Sequence, residues 1–148
     1  MSDTAMLSSL PDSAVDAFLT EMGPGSTSSL LLAELRQLGG ALGRPHPGAG
    51  SLPMLDGQFA LFGVAIAATP DIGMQGQADA HQLAGALSPY SNGTSYLNFT
   101  ENPVEAKTGY TDETWMQLKA IRSMVDPDGV FVANHKVPRL YENGKPSA

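Results

Sequence analysis

Cysteine is missing from this chain altogether. Its absence excludes disulfide staples, thiolate nucleophiles and thiolate zinc sites together, and it fits a reducing compartment. Basic residues are sparse: 8 Lys and Arg stand against 15 Asp and Glu, for a formal net charge of −7. An acidic surface with scattered cations repels a phosphate backbone, so no nucleic-acid partner is expected. No run approaches the roughly 20 apolar residues of a bilayer-spanning helix, so no membrane partner is expected either. The longest apolar run, Phe59 to Ala68, has the length of a strand. The N-terminus lacks a basic region followed by an apolar core, the pattern of a secretory leader. The two Asn-x-Thr triplets at Asn92 and Asn98 then read as accidents of composition, and the cytoplasm is the expected compartment.

The familiar catalytic patterns are missing as well. There is no Gly-x-Ser-x-Gly elbow, no phosphate loop ending in Gly-Lys-Ser/Thr and no His-Glu-x-x-His. His46, His81 and His135 lie far apart, with no carboxylate at metal-ligand spacing, so no metal site is expected. His81 falls on the polar side of its segment and reads as a solvated surface histidine. Asp126 and Asp128 flank a proline in a helix-stopping turn, which calls for such residues without any acid/base role.

What remains is an ordinary globular composition of 148 residues, 42% apolar and 16% charged, sized for one domain with a real core. Leu10 to Met22 has helical spacing, with Val15, Phe18, Leu19 and Met22 on one face and Gly23-Pro24-Gly25 as the stop. Leu30 to Leu38 fits helix by propensity, while its short length and the Gly39-Gly40 after it leave strand open. Gly43 to Gly57 is a proline- and glycine-rich loop, and Gln58 to Ala68 reads as a buried strand. Pro70-Asp71 opens a turn, and a helix follows to about Leu87 with Ala80, Leu83, Ala84 and Leu87 on one face, although Gly76 and Gly85 weaken it. Ser95 to Phe99 alternates like a short strand. A last helix begins at the Thr111 cap, with Asp112 and Glu113 in its first turn and a stripe of Trp115, Leu118, Ile121 and Val125. Asp126-Pro127-Asp128-Gly129 ends that helix. The order, closing on an extended C-terminal tail, predicts an α+β fold.

Two segments carry unusual chemistry. In a strand, Tyr96 and Asn98 share one face while Leu97 and Phe99 share the other. That face is either a polar patch that meets a ligand or a solvated strand face bearing a tyrosine. The second segment, Val125 to His135, holds a turn, an aromatic anchor at Phe131, and then Asn134 and His135 on an extended tail.

Taken in order, Tyr96-x-Asn98, Leu118-Lys119, Val125-Asp126-Pro127 and Phe131-x-x-Asn134 resemble the C-terminal signature of berberine-bridge-type FAD-linked oxidases. Glu34-Leu35-Arg36, Gly39-Gly40-Ala41 and Phe59-Ala60-Leu61-Phe62 are similar to the substrate domain of bacterial members. The resemblance runs from about Leu10 to Pro138, and it tips Leu30 to Leu38 toward strand. It implies an antiparallel sheet with helices packed on one face, residues 1–94 as part of a substrate domain and residues 95–148 as a berberine-like C-terminal segment packed onto it. It also implies FAD as cofactor, with Asn98 and Asn134 binding it and Tyr96 as the catalytic, proton-handling group. A tyrosine serves as base only if its pKa falls well below about 10, and the sequence identifies no neighbour to lower it.

The family's glycine-rich pyrophosphate loop is not found here. The resemblance therefore implies a truncated or split oxidoreductase, the substrate-side portion, inactive alone and binding FAD weakly or not at all. Completed by a separate flavin-binding domain, it would take hydride from an alcohol or amine substrate. The alternative is a non-enzymatic α+β interaction or dimerisation module that has kept the fold and uses its exposed sheet face to form a homo-oligomer or to pair with a separate flavin-binding domain.

Overall fold

Ser2–Leu7 forms strand β1, in a segment that the sequence pattern leaves unassigned. Its signal is a plain alternation, Asp3, Ala5 and Leu7 to one side and Ser2, Thr4 and Met6 to the other. The computed structural model describes residues 1–142 and 145–146. After β1 come helix α1 (Asp12–Met22), strands β2 (Leu32–Gln37) and β3 (Phe59–Val64), and helix α2 (Pro70–Leu87). Three short 3-10 turns follow, then helix α3 (Asp112–Val125) and the two-residue strands β4 (Tyr141–Glu142) and β5 (Lys145–Pro146).

The main sheet is antiparallel in the order β1-β3-β2, with Leu61 of β3 facing Ala5 on one side and Leu35 on the other. The segment 30–38 is therefore a strand. Its helix-favouring residues yield to the pairing and burial that β3 offers, a tertiary override of local preference.

Odd-numbered residues of the sheet face the helices. Leu7 and Leu61 are fully buried against Ala14 of α1 and Leu83 and Leu87 of α2. The buried face of α2 (Gly73, Gly76, Ala80, Leu83 and Leu87) follows the expected stripe. Helix α1 is rotated from its expected face: Ala14, Ala17, Phe18 and Met22 pack inward, while Leu19 is half exposed. Small Ala14 fits where the helix approaches the sheet, so close packing outranks bulk in choosing the face.

Even-numbered residues look away from the helices. Met6, Ala60 and Leu38 form a second buried cluster there, and Leu55 from the long loop closes it. Helix α3 lies beyond this sheet and packs on local structure: the Trp115 ring stacks 6.1 Å from Tyr110, and Leu140 N–H donates to Ser123 Oγ at 2.8 Å. Trp115, Lys119 and Asp126 are its buried positions, whereas Ile121 and Val125 are exposed. The expected apolar stripe is thus corrected to a mixed face, one on which charged groups carry the contacts. No described helix is long and apolar enough to cross a membrane.

Candidate functional site

The helix-free sheet face places Leu32, Glu34 and Arg36 of β2 beside Ala60, Phe62 and Val64 of β3. Over it folds the segment from Ser95 onward. Residues Leu97–Phe99 are a 3-10 turn rather than a strand. No strand lies alongside to pair with them, so the backbone satisfies itself: Phe99 N–H donates to Tyr96 C=O at 2.9 Å and Thr100 Oγ1 donates to the same carbonyl at 3.1 Å. The predicted alternation is lost with the strand. Tyr96 and Asn98 do not share a strand face, and Tyr96 and Phe99, expected on opposite faces, are in ring contact with centroids 4.7 Å apart.

Phe99 is the hub of an aromatic cluster whose rings are tilted 40° and 44° to its own. Phe62 lies 5.2 Å from it, and the Arg36 guanidinium sits 4.9 Å above its ring. Arg36 Nη2 also pairs with Glu34 Oε1 at 2.7 Å, which holds the guanidinium plane in place. Tyr96 lies behind the cluster, half-buried against Met6, Leu38, Leu55 and Ala60.

Two clefts flank this arrangement. One, of about 290 Å³, is lined by Glu34, Arg36, Phe62, Asn98 and Phe99. The other, of about 790 Å³, lies between Asn98, Asn102 and Tyr110 on one side and Asn134 and His135 of the tail on the other. The structure therefore brings Asn98 and Asn134 to one cleft, and Asn98 to both, while Tyr96 lines neither. The tail is held by His135, whose Nε2 lies 3.1 Å from Leu97 C=O, and by Asp126. That carboxylate is a turn staple, as its sequence context suggests: it accepts from Val130 and Phe131 N–H at 2.8 and 3.3 Å and pairs with Arg122 at 2.9 Å. His81 is exposed and 3.1 Å from Asp3. Among the described residues no group of three His, Cys, Asp or Glu side chains is placed to hold a metal ion.

Arg36, Phe62 and Phe99 were not singled out as site residues by sequence reasoning. The available signal was the period-two alternation of β2 and β3, which puts Arg36 and Phe62 on the same face. Phe99 had no such signal, because its position depends on the 3-10 turn.

No protein-family model and no curated protein sequence matches the chain. Solved structures do. Physcomitrella patens BBE-like 1, in its wild-type form and as an Asp-to-Asn variant, superposes with a TM-score of 0.75 and 17% identity in each case. The fold is that of part of a BBE-like protein. The likeness covers 95% of this chain and 30% of the BBE-like chain, so the chain spans under a third of that protein's length.

The residues present fit one end of a flavin better than the other. An exposed carboxamide at Asn98 and the apolar pair of Phe62 and Phe99 suit a heteroaromatic ring and its polar edge. A pyrophosphate needs converging N–H donors at a helix N-terminus. Here α1, α2 and α3 each carry an acid in the first turn (Asp12, Asp71 and Asp112), and Pro11 and Pro70 at the starts of α1 and α2 supply no N–H.

Proposed function

We propose that this chain is the substrate-side portion of an FAD-linked oxidoreductase acting on an alcohol or amine, completed by a flavin-binding domain. The observation that supports it most is the helix-free sheet face: an aromatic cluster beside two clefts, one of which holds both Asn98 and Asn134, within a BBE-like fold. Bound there, a flavin would supply the hydride acceptor.

The chain's own residues do the rest. Phe62 and Phe99, tilted 40° to one another, present an apolar corner against which one face of a planar ring can rest, away from water. The Asn98 and Asn134 carboxamides each offer one acceptor and two donors to polar edges in the cleft between them. Tyr96 is the proposed proton-handling group and is reached past Phe99, whose ring covers it.

Reconstitution tests the proposal. The chain is mixed with a flavin-loaded polypeptide carrying the remainder of a BBE-like fold, and the visible spectrum is followed. A shift of the flavin bands on mixing, lost in Asn98→Ala, is expected; an unchanged spectrum overturns the proposal. The chain alone should bind FAD and riboflavin equally weakly, since only the ring has partners here. A strong preference for FAD would reveal a phosphate cradle.

A further inference from the structure

The two edges of the three-stranded sheet differ. At β1 half of the outward backbone groups of Ser2, Thr4 and Met6 are occupied. Met6 C=O accepts from Asn92 N–H at 2.9 Å, Ser2 C=O accepts from Asn102 Nδ2 at 2.9 Å and Gln77 Nε2 at 3.3 Å, and Thr4 N–H donates to Asp3 Oδ1 at 2.8 Å. At β2 nothing comparable is found. Leu38 N–H donates to Gln58 C=O, which fixes the even-numbered residues as those bonded to β3 and turns the N–H and C=O of Ala33, Leu35 and Gln37 outward. Among the described residues none of these outward groups has a partner. Leu31 and Leu32 at the start of this edge are 67% and 46% exposed. An open strand edge of this kind is a template for another strand, and proteins that keep one free normally blunt it.

We infer that β2 pairs antiparallel with β2 of a second copy of this chain, joining two three-stranded sheets into one continuous sheet. The strand's own charge pattern selects this occupant. About a two-fold axis at Leu35, Ala33 meets the partner's Gln37 and Leu35 meets the partner's Leu35, each facing pair exchanging two backbone hydrogen bonds. Glu34 then stands opposite the partner's Arg36, and Arg36 opposite the partner's Glu34. These are non-hydrogen-bonded positions, where side chains lie closest and opposite charges reinforce the seam. A shift of the axis by one residue places Arg36 opposite itself or Glu34 opposite itself and loses this complementarity. On the helix face Leu35 packs beside its own copy, extending a cluster it already joins. On the other face the Glu34–Arg36 wall of the smaller cleft continues into the partner.

Sedimentation velocity on the 148-residue chain tests this. The wild-type chain is expected to dimerise with a dissociation constant in the micromolar range, as befits a seam of one strand pair. Arg36→Glu sets two like-charge pairs across the seam and should weaken the dimer about 10-fold. The double swap Glu34→Arg with Arg36→Glu should restore it. Gln37→Pro removes an outward N–H without touching the β3 ladder, so it should weaken the dimer while the far-UV circular dichroism stays native. Should Gln37→Pro fail to fold, the charge pair and its swap decide alone. A wild-type chain that remains monomeric at about 100 μM, far above such a constant, overturns the inference. So does a dimer indifferent to Arg36→Glu and its swap, or an edge that binds a different polypeptide but not its own copy.

Discussion

Asp79 pins the loop between α1 and β2. One of its oxygens accepts from both the Ser29 hydroxyl and the Ser29 N–H at 2.6 Å, and the other accepts from Gln75 at 2.8 Å. The Ser29 side-chain bond, then the Ser29 backbone bond, hold this carboxyl below its ordinary range. A carboxyl pKa lowered by folding stabilises the native state above its unfolded value of about 3.9, and that contribution is lost as pH falls through the lower folded value. Asp79→Ala is therefore expected to cost about 1 kcal/mol at neutral pH, discounted for its partial exposure. Thermal melts should show the gap between variant and parent closing below about pH 4. A gap that persists there would mean that the loop is held by something else. At the proposed flavin-facing side, Tyr96→Phe in the reconstituted assembly should slow single-turnover flavin reduction by about 10²–10⁴ if the proposed role of its hydroxyl holds. An unchanged rate leaves Tyr96 as the ring that seats Phe99. Residue chemistry was well signalled in the sequence where it was local: Asp126 in its turn and His81 on its polar face. It was hidden where it depended on a partner far along the chain, as at Arg36 over Phe99.

At the scale of the element, α2 shows how two glycines of one helix can have opposite meanings. A Cβ on Gly76 would overlap Cβ of Ala65, so α2 can lie against the end of β3 only because this position is bare. A Cβ on Gly85 meets nothing within 4 Å. Glycine in a helix interior ordinarily costs about 1 kcal/mol relative to alanine. Gly85→Ala should therefore raise the melting temperature slightly, while Gly76→Ala should lower it by forcing the helix off the sheet, at about 1–3 kcal/mol. Two shifts of the same sign would show that this close approach is absent. In the sequence both glycines simply weakened a helix assignment, because backbone proximity leaves no mark on composition. The same limit explains the other misreadings. The faces of α1 and α3 turned because small or charged residues, not the largest apolar ones, met the neighbouring surface. Leu97–Phe99 coiled because no strand was there to pair with. Strand β3 was legible from its apolar run, whereas β2 was not legible until the resemblance tipped Leu30 to Leu38 away from the helix its propensity favours.

For the whole molecule, the two apolar clusters both lie against the main sheet, and the single tryptophan lies outside them, on α3. Trp115 is buried, but its helix leaves Met116, Ile121, Met124 and Val125 exposed and seats Lys119 and Asp126 instead. Segments with little apolar cover open at lower free energy than the core they adjoin. In a urea titration, tryptophan fluorescence should therefore change at lower denaturant than the far-UV circular dichroism of the sheet and its two helices. Coincident transitions would show the chain to be one cooperative unit. The α+β class followed from element order and the antiparallel sheet with helices on one face from the resemblance; the looser seating of α3 required coordinates.

The Asp126 staple has a practical consequence. By fixing Val130 and Phe131 N–H it directs Val130, Phe131 and Val132 outward, 75%, 71% and 99% exposed, next to the bare side of α3. Such a contiguous apolar patch attracts apolar ligands without any unfolding. The native protein should light up anilinonaphthalene sulfonate in plain buffer. A dye-monitored melt would then begin from a bright baseline, so its apparent midpoint should be checked against a label-free signal.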